Sequence, residues 1–128
     1  WRGTVADIAG ETVRQMASAF GCRLGDIRAA IGPGIGPCCF ETGAEVPEAV
    51  MEVLGDIGEE FISPKENGKF MVDLKGVNRS LLIRAGLLDE NIDVSEECTK
   101  CLHEKYWSHR YTQGARGSQA SIIVLKGT

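Results

Sequence analysis

The sequence predicts a mixed α/β (α+β) domain, on three observations. Segments with apolar residues at helical spacing alternate with short runs of strand-forming residues, the pattern of helices packed on sheet. Glycine or a turn pair closes nearly every segment, so the elements are short and well delimited. The 128 residues are 43% hydrophobic and 25% charged, with no internal repeat, low-complexity tract or linker to divide them. A single domain over residues 1–128 is the expectation.

Taken in order, Val5, Ile8, Ala9, Val13, Met16, Ala17 and Phe20 follow the i, i+3, i+4 rule, predicting one helix from an N-cap at Thr4 to a stop at Gly21. Gly25-Asp26 reads as a turn into a strand, Ile27 to Ile31, which runs into a Gly-Pro loop. A second helix is expected over Glu45 to Leu54, with Val46, Ala49, Val50, Val53 and Leu54 on one face and Gly55 at its end. Pro47 suits its first turn, where a missing N–H costs little. Glu59 to Gly68 is polar and reads as a surface loop, followed by a short strand, Lys69 to Val72. Asp73 caps a third helix with Leu74, Val77, Leu81, Leu82 and Ala85 on its face and Gly86 as terminator. Strands are expected at Asn91 to Val94 and at Ala120 to Leu125.

Charge and cysteine content narrow the function. A net charge of -4 argues against a nucleic-acid surface, which wants a basic stripe. No apolar run approaches the roughly 20 residues of a membrane helix, and no secretory signal is visible. The five cysteines, an odd number, do not read as a disulfide framework; a reducing cytoplasm with free, ligating or catalytic thiols is the expectation.

Three stretches could carry chemistry. In "IGPGIGPCCFE", Ile31 to Glu41, glycines permit close backbone approach and prolines stiffen the loop that presents Cys38 and Cys39. The lysine and helix spacing of a phosphate loop are missing, and small buried thiols are the plainer alternative. "CTKCLH" holds a C-x-x-C, Cys98 and Cys101, with His103 beyond it, a spacing that suits a zinc ligand pair, a redox couple or a simple turn. "YWSHRYTQGARG" sets His109 and Arg110 on one side of a glycine-rich turn and Arg116 on the other, a combination suited to anion binding and proton transfer, beside aromatics able to stack on a base.

Together with "WRGT" at the amino end, these stretches resemble the laccase-domain, or YfiH-like, family, also called the polyphenol oxidase family. The likeness runs through the whole chain but covers only the C-terminal half or so of a family member. It implies part of a four-layer α/β/β/α sandwich and a metal-dependent purine nucleoside phosphorylase acting on adenosine, inosine and guanosine, with adenosine deaminase activity. The implied partners are a purine nucleoside and phosphate, and the implied metal is zinc, with copper possible. Copper-dependent phenol oxidation, editing of a cell-wall precursor and a degenerate non-catalytic relative are alternatives within the family; a thiol-redox module using Cys98 and Cys101 lies outside it.

Residue by residue, the family's His, Cys, His metal site is represented here by Cys38, with Cys39 as second choice. Trp1, Arg2 and Gly3 match the end of the motif that carries the first His, which falls before residue 1. The second His position falls near Leu54, where this sequence has no histidine; either a group such as Glu52, Asp56 or the nearby loop substitutes, or the parent protein has lost or altered its metal. The resemblance makes His109 and Arg110 catalytic, with His109 passing a proton to the departing purine, and makes Arg2 and Arg116 substrate-binding clamps. Cys39 is expected to turn into the core.

Overall fold

The computed structural model describes residues 1–127. Among them, no helix is long and apolar enough to cross a membrane. The class is the expected mixed α/β, built from a parallel strand pair and a three-stranded antiparallel sheet with helices packed on them.

The amino-terminal helix is broken in two, α1 over Arg2–Val5 and α2 over Ile8–Phe20. Asp7 causes the break. It sits at φ 54°, a left-handed conformation that Asp tolerates better than most residues, and its Oδ1 accepts from the Gly10 amide at 3.1 Å as a new N-cap. A Cβ on Gly10 would lie 2.4 Å from that oxygen, so the cap requires glycine there. Periodicity alone cannot reveal this, because the apolar stripe continues across the break. Thr4, expected as the cap, instead lets its hydroxyl accept from Asn78 at 3.1 Å. Gly21 ends α2 as expected, at φ 65°.

Helix α3 spans Glu45–Leu54 and helix α4 spans Leu74–Arg84, with the Asp73 side chain accepting from the Gly76 amide at 3.1 Å. Both match the sequence reading because their signals are local: an apolar stripe and a closing glycine in each, and the Asp73 cap in α4. Helix α4 is the shared wall of two apolar clusters. Val77 and Leu81 face Phe40, Val46, Val50 and Val72, while Leu82 joins Val13, Ile27, Leu87 and Ile92 beneath α2.

The strands depart further from expectation. Strand β1 is only Ala29–Ile31, because Leu24–Asp26 forms a 3-10 turn ahead of it, and β5 is Ile92–Val94, after a similar turn at Asp89–Asn91. They pair in parallel, Ala29 opposite Ile92 and Ile31 opposite Val94. The antiparallel sheet has the order β2, β4, β3, from Glu41–Thr42, Phe70–Val72 and Ile62–Pro64. The stretch expected as a loop, 59–68, therefore ends a 3-10 segment, Gly55–Phe61, and supplies β3, whose hairpin to β4 turns at Gly68 with φ 74°. Its polarity misleads, because this edge strand leaves Ser63 and Pro64 exposed.

The expected strand at 120–125 has no partner among the described residues: Ile122, Ile123, Val124 and Leu125 are exposed, and Ile122 and Ile123 flank a groove beside β1. Strand-forming side chains do not make a strand without a ladder to receive their backbone hydrogen bonds.

Candidate functional site

Two arrangements of reactive side chains stand out, and they are built by different elements. The first is a pocket of about 440 Å3 between the Gly-Pro loop and the carboxyl-terminal segment. Ile35, Phe40 and Thr99 line one side; Trp107, Ser108, His109, Arg110, Arg116, Gly117, Ser118 and Gln119 line the other. The short helix α5, His109–Thr112, starts here, capped by buried Ser108, whose Oγ accepts from the Tyr111 amide at 3.2 Å. The "SHR" run is therefore the start of a helix, which fixes the bearing of His109 and Arg110.

Arg110 is held twice. Its Nη1 donates to the Glu41 carbonyl at 2.8 Å, and its guanidinium lies over the Phe40 ring, 5.4 Å from the centroid. Phe40 is itself buried in the main core, and its carbonyl accepts from the Val72 amide at 3.1 Å. Arg116 enters the same wall from beyond the turn at Gln113 and Gly114, both at positive φ. Gly117 lies against the Trp107 indole so closely that a Cβ there would be 2.9 Å from Cε2. His109, Arg110 and Arg116 thus meet in one pocket. Arg2 lies outside that wall, with its guanidinium 5.0 Å from the Trp1 ring centroid. Phe40, Thr99 and Gln119 escaped the sequence reading, although Phe40 and Thr99 sit inside the motifs it singled out.

The second arrangement is a sulfur cluster. The Sγ atoms of Cys38, Cys39, Cys98 and Cys101 all lie within 4.8 Å of one another. Cys101 is 3.6 Å from Cys38 and 3.5 Å from Cys39, although the partners are separated by more than 60 positions of sequence. The parallel strands explain the meeting. The β1–β5 ladder continues past its regular part: the Ser95 amide donates to the Ile31 carbonyl at 2.8 Å, Gly34 bridges Cys98, and the Thr99 amide donates to the Gly34 carbonyl at 3.1 Å. Two loops leaving the carboxyl ends of parallel neighbours emerge side by side, where α/β folds place their ligand sites.

Cys98 is buried and accepts from the Gly36 amide at 3.2 Å. Burial raises the tendency of this thiol to keep its proton, but the amides of Cys101, Gly36 and Lys100 outweigh it and bring the group down to about 6. Burial pushes the Cys39 thiol up to about 12, with the Cys101, Cys38 and Cys98 sulfurs adding to it, and it lifts Cys38 in the same sense. The amides around Cys98 thus favour its thiolate form, while burial favours the thiol form of Cys38 and Cys39. Cys39 does not turn into the core: its sulfur faces Cys101 because the loop reverses over Gly36, whose carbonyl accepts from the amides of Cys39 and Phe40.

Cys38 belongs to this cluster and not to the pocket wall of His109, Arg110 and Arg116. An open metal site of the kind the resemblance implies asks for two imidazoles beside one thiolate. The donors gathered here are all sulfur; His103 stacks on Tyr111 with centroids 3.6 Å apart, His109 lines the pocket, and neither Glu52 nor Asp56 joins the group. Among the described residues the expected donor set is not assembled, while a four-sulfur set that could hold a metal is.

The family described as "Multi-copper polyphenol oxidoreductase laccase" matches residues 1–126. The chain belongs to that family. Within it, the chain is similar to "Purine nucleoside phosphorylase YlmD" of Geobacillus stearothermophilus, 35% identical over 123 residues that make up 96% of this chain and 45% of that protein. It is 37% identical over 110 residues to "Adenosine deaminase RL5" of an unknown prokaryotic organism, covering 86% of this chain and 42% of the relative. The crystal structure of YlmD from Geobacillus stearothermophilus superposes with a TM-score of 0.86 at 36% identity, over 91% of this chain and 43% of that one. This laccase-family chain thus spans less than half the length of these relatives, and its fold is of the YfiH/YlmD type.

Proposed function

We propose that the pocket of His109, Arg110 and Arg116 is the part of a purine nucleoside phosphorylase site that this chain supplies. One observation carries the reading: a cavity of about 440 Å3 combines two guanidinium groups, an imidazole and an indole, the chemistry needed for an anion, a proton and a flat base. Its size suits a small ligand. Phosphate sits between Arg110 and Arg116, whose planar forks match its oxygens. The purine lies against Trp107. Phosphate oxygen forms the new bond to the anomeric carbon as the bond to the purine nitrogen breaks. The bonding pair leaves with the base, and His109 supplies the proton that neutralises it, a contribution of roughly a hundredfold to ten-thousandfold. Arg2 is left out of the grip.

Adenosine, inosine and guanosine share the ring and ribose that this arrangement addresses, and the phosphorylase and deaminase names of the relatives support that substrate class. We place the reaction in the cytoplasm, where free cysteines such as these persist. The test is phosphate-dependent release of hypoxanthine from inosine by the purified protein. Arg116→Ala is expected to raise the KM for phosphate about tenfold, the equivalent of about 1.4 kcal/mol, and His109→Ala to lower kcat. Release that survives both substitutions unchanged would refute the assignment.

A further inference from the structure

We propose that Thr99 is a substrate-binding residue whose hydroxyl takes a ribose hydroxyl of the nucleoside, selecting ribonucleosides over their deoxy analogues. The inference rests on the nucleoside reading of the pocket and names the side chain that reads the sugar.

Hydrogen bonding sets Thr99 apart. The buried polar residues among those described are Thr42, Lys75, Asn91, Thr99 and Ser108. All but Thr99 use their side chains within the protein. Thr42 Oγ1 donates to the Gly43 carbonyl, Lys75 Nζ to the carbonyls of Ser95 and Glu97, and Asn91 Nδ2 to the Gly25 carbonyl. Ser108 Oγ accepts from the Tyr111 amide. The Thr99 hydroxyl has no such partner among the described residues, although Thr99 is only 6% exposed. Sealing an unpaired hydroxyl away from water is costly. Among the described residues no fully sealed side-chain oxygen lacks a partner, so the Thr99 oxygen keeps a face on open space. The space that Thr99 lines is the pocket of His109, Arg110 and Arg116.

The main chain holds this hydroxyl in place. Thr99 lies where the β1–β5 ladder extends past its regular part, with its amide donating to the Gly34 carbonyl at 3.1 Å. A β-branched side chain has few χ1 choices, so fixing the backbone also limits where the oxygen points. A polar group preset in this way costs little to order when a ligand arrives.

The sugar is the part of the substrate that meets it. In phosphorolysis the anomeric carbon stands between the departing base and the attacking phosphate. The ribose therefore lies between the Trp107 indole and the guanidinium groups of Arg110 and Arg116. Facing these three across the pocket are Ile35, Phe40 and Thr99. Only Thr99 brings a polar side chain to that wall. Ile35 and Phe40 meet the ribose carbons, and the Thr99 hydroxyl, which can both donate and accept, meets the 2′- or 3′-hydroxyl. Phosphate is rich in acceptors and is already met by two guanidinium forks. A site that bonds a substrate hydroxyl rejects the analogue lacking it, because its own polar group is then left unpaired.

The test is steady-state phosphorolysis of inosine, 2′-deoxyinosine and 3′-deoxyinosine by the purified wild type, Thr99→Val and Thr99→Ser. Calorimetric binding of the same nucleosides and urea unfolding run alongside. Thr99→Val is expected to lower kcat/KM for inosine about 5- to 100-fold and to leave the KM for phosphate unchanged. The deoxynucleoside that lacks the contacted hydroxyl should be unaffected by that change. Thr99→Ser keeps a hydroxyl and should recover most of the loss. Because the hydroxyl has no partner in the protein, Thr99→Val should not lower the urea midpoint. An unchanged kcat/KM for inosine, an equal loss on all three nucleosides, or a raised KM for phosphate would overturn the proposal. Should the wild type bind inosine without phosphorolysis, the phosphorylase reading falls and binding alone judges Thr99. Weakening by Thr99→Val confined to nucleosides that keep the contacted hydroxyl would then uphold the proposal, and any other pattern would overturn it. A wild type that binds no inosine overturns both.

Discussion

Gly117→Ala isolates the aromatic wall of the pocket from the stability of the fold. An added Cβ would sit 2.9 Å from Trp107 Cε2 and 3.0 Å from its Nε1. Relaxed carbon contacts lie at about 3.5–4.0 Å, so the indole must retreat by roughly 0.6–1 Å. It can do so cheaply, because Trp107 is 53% exposed and the Gly117 backbone does not require positive φ. A change within about 0.5 kcal/mol of stability is therefore expected, as for a surface position. Binding responds differently. Stacking of a base on an aromatic ring is worth about 1–3 kcal/mol, and losing around half of it gives about a two- to twelvefold weaker interaction. The assay is steady-state phosphorolysis of inosine at saturating phosphate, with urea unfolding in parallel. A raised KM for the nucleoside at unchanged unfolding midpoint is the expected result. An unchanged KM would show that Trp107 does not meet the base, and the purine side of the reading would fall with it.

Leu81→Ala removes a side chain with no exposure from the cluster it shares with Val46, Val50 and Val77, and urea unfolding should record a loss of about 2–5 kcal/mol. Asp73→Ala deletes the acceptor of the Gly76 amide at the start of α4 and should cost about 1 kcal/mol in the same measurement. Lys75→Met keeps the buried stem but loses both carbonyl bonds to the loop ahead of Cys98. Urea unfolding should then record a loss of about 1.5–3 kcal/mol, the usual worth of hydrogen bonds made by a charged donor, with little change in phosphorolysis.

How far the sequence could be read depended on the range of the signal. The amphipathic stripes of α3 and α4, their terminal glycines and the Asp73 cap of α4 operate within one or two helical turns, and the structure keeps both helices where those signals put them. The same holds for His109, Arg110 and Arg116: they lie within one short stretch, so a turn suffices to bring them to one wall. The two-residue strand β2 and the polar edge strand β3 carry no comparable local mark, since only pairing with β4 makes them strands. Asp7 lies within a continuous apolar stripe, which conceals that it caps a second helix.

The amino-acid order alone determined the class of the fold, the family, the principal helices and the cation-rich turn beside an aromatic. Tertiary structure decided the company of Cys38. A parallel ladder between β1 and β5 carries the two cysteine-bearing loops to one edge and leaves the histidines elsewhere. Strand register is set by the packing of distant segments, and no residue near Cys38 in the chain encodes which residues more than 60 positions away will face it.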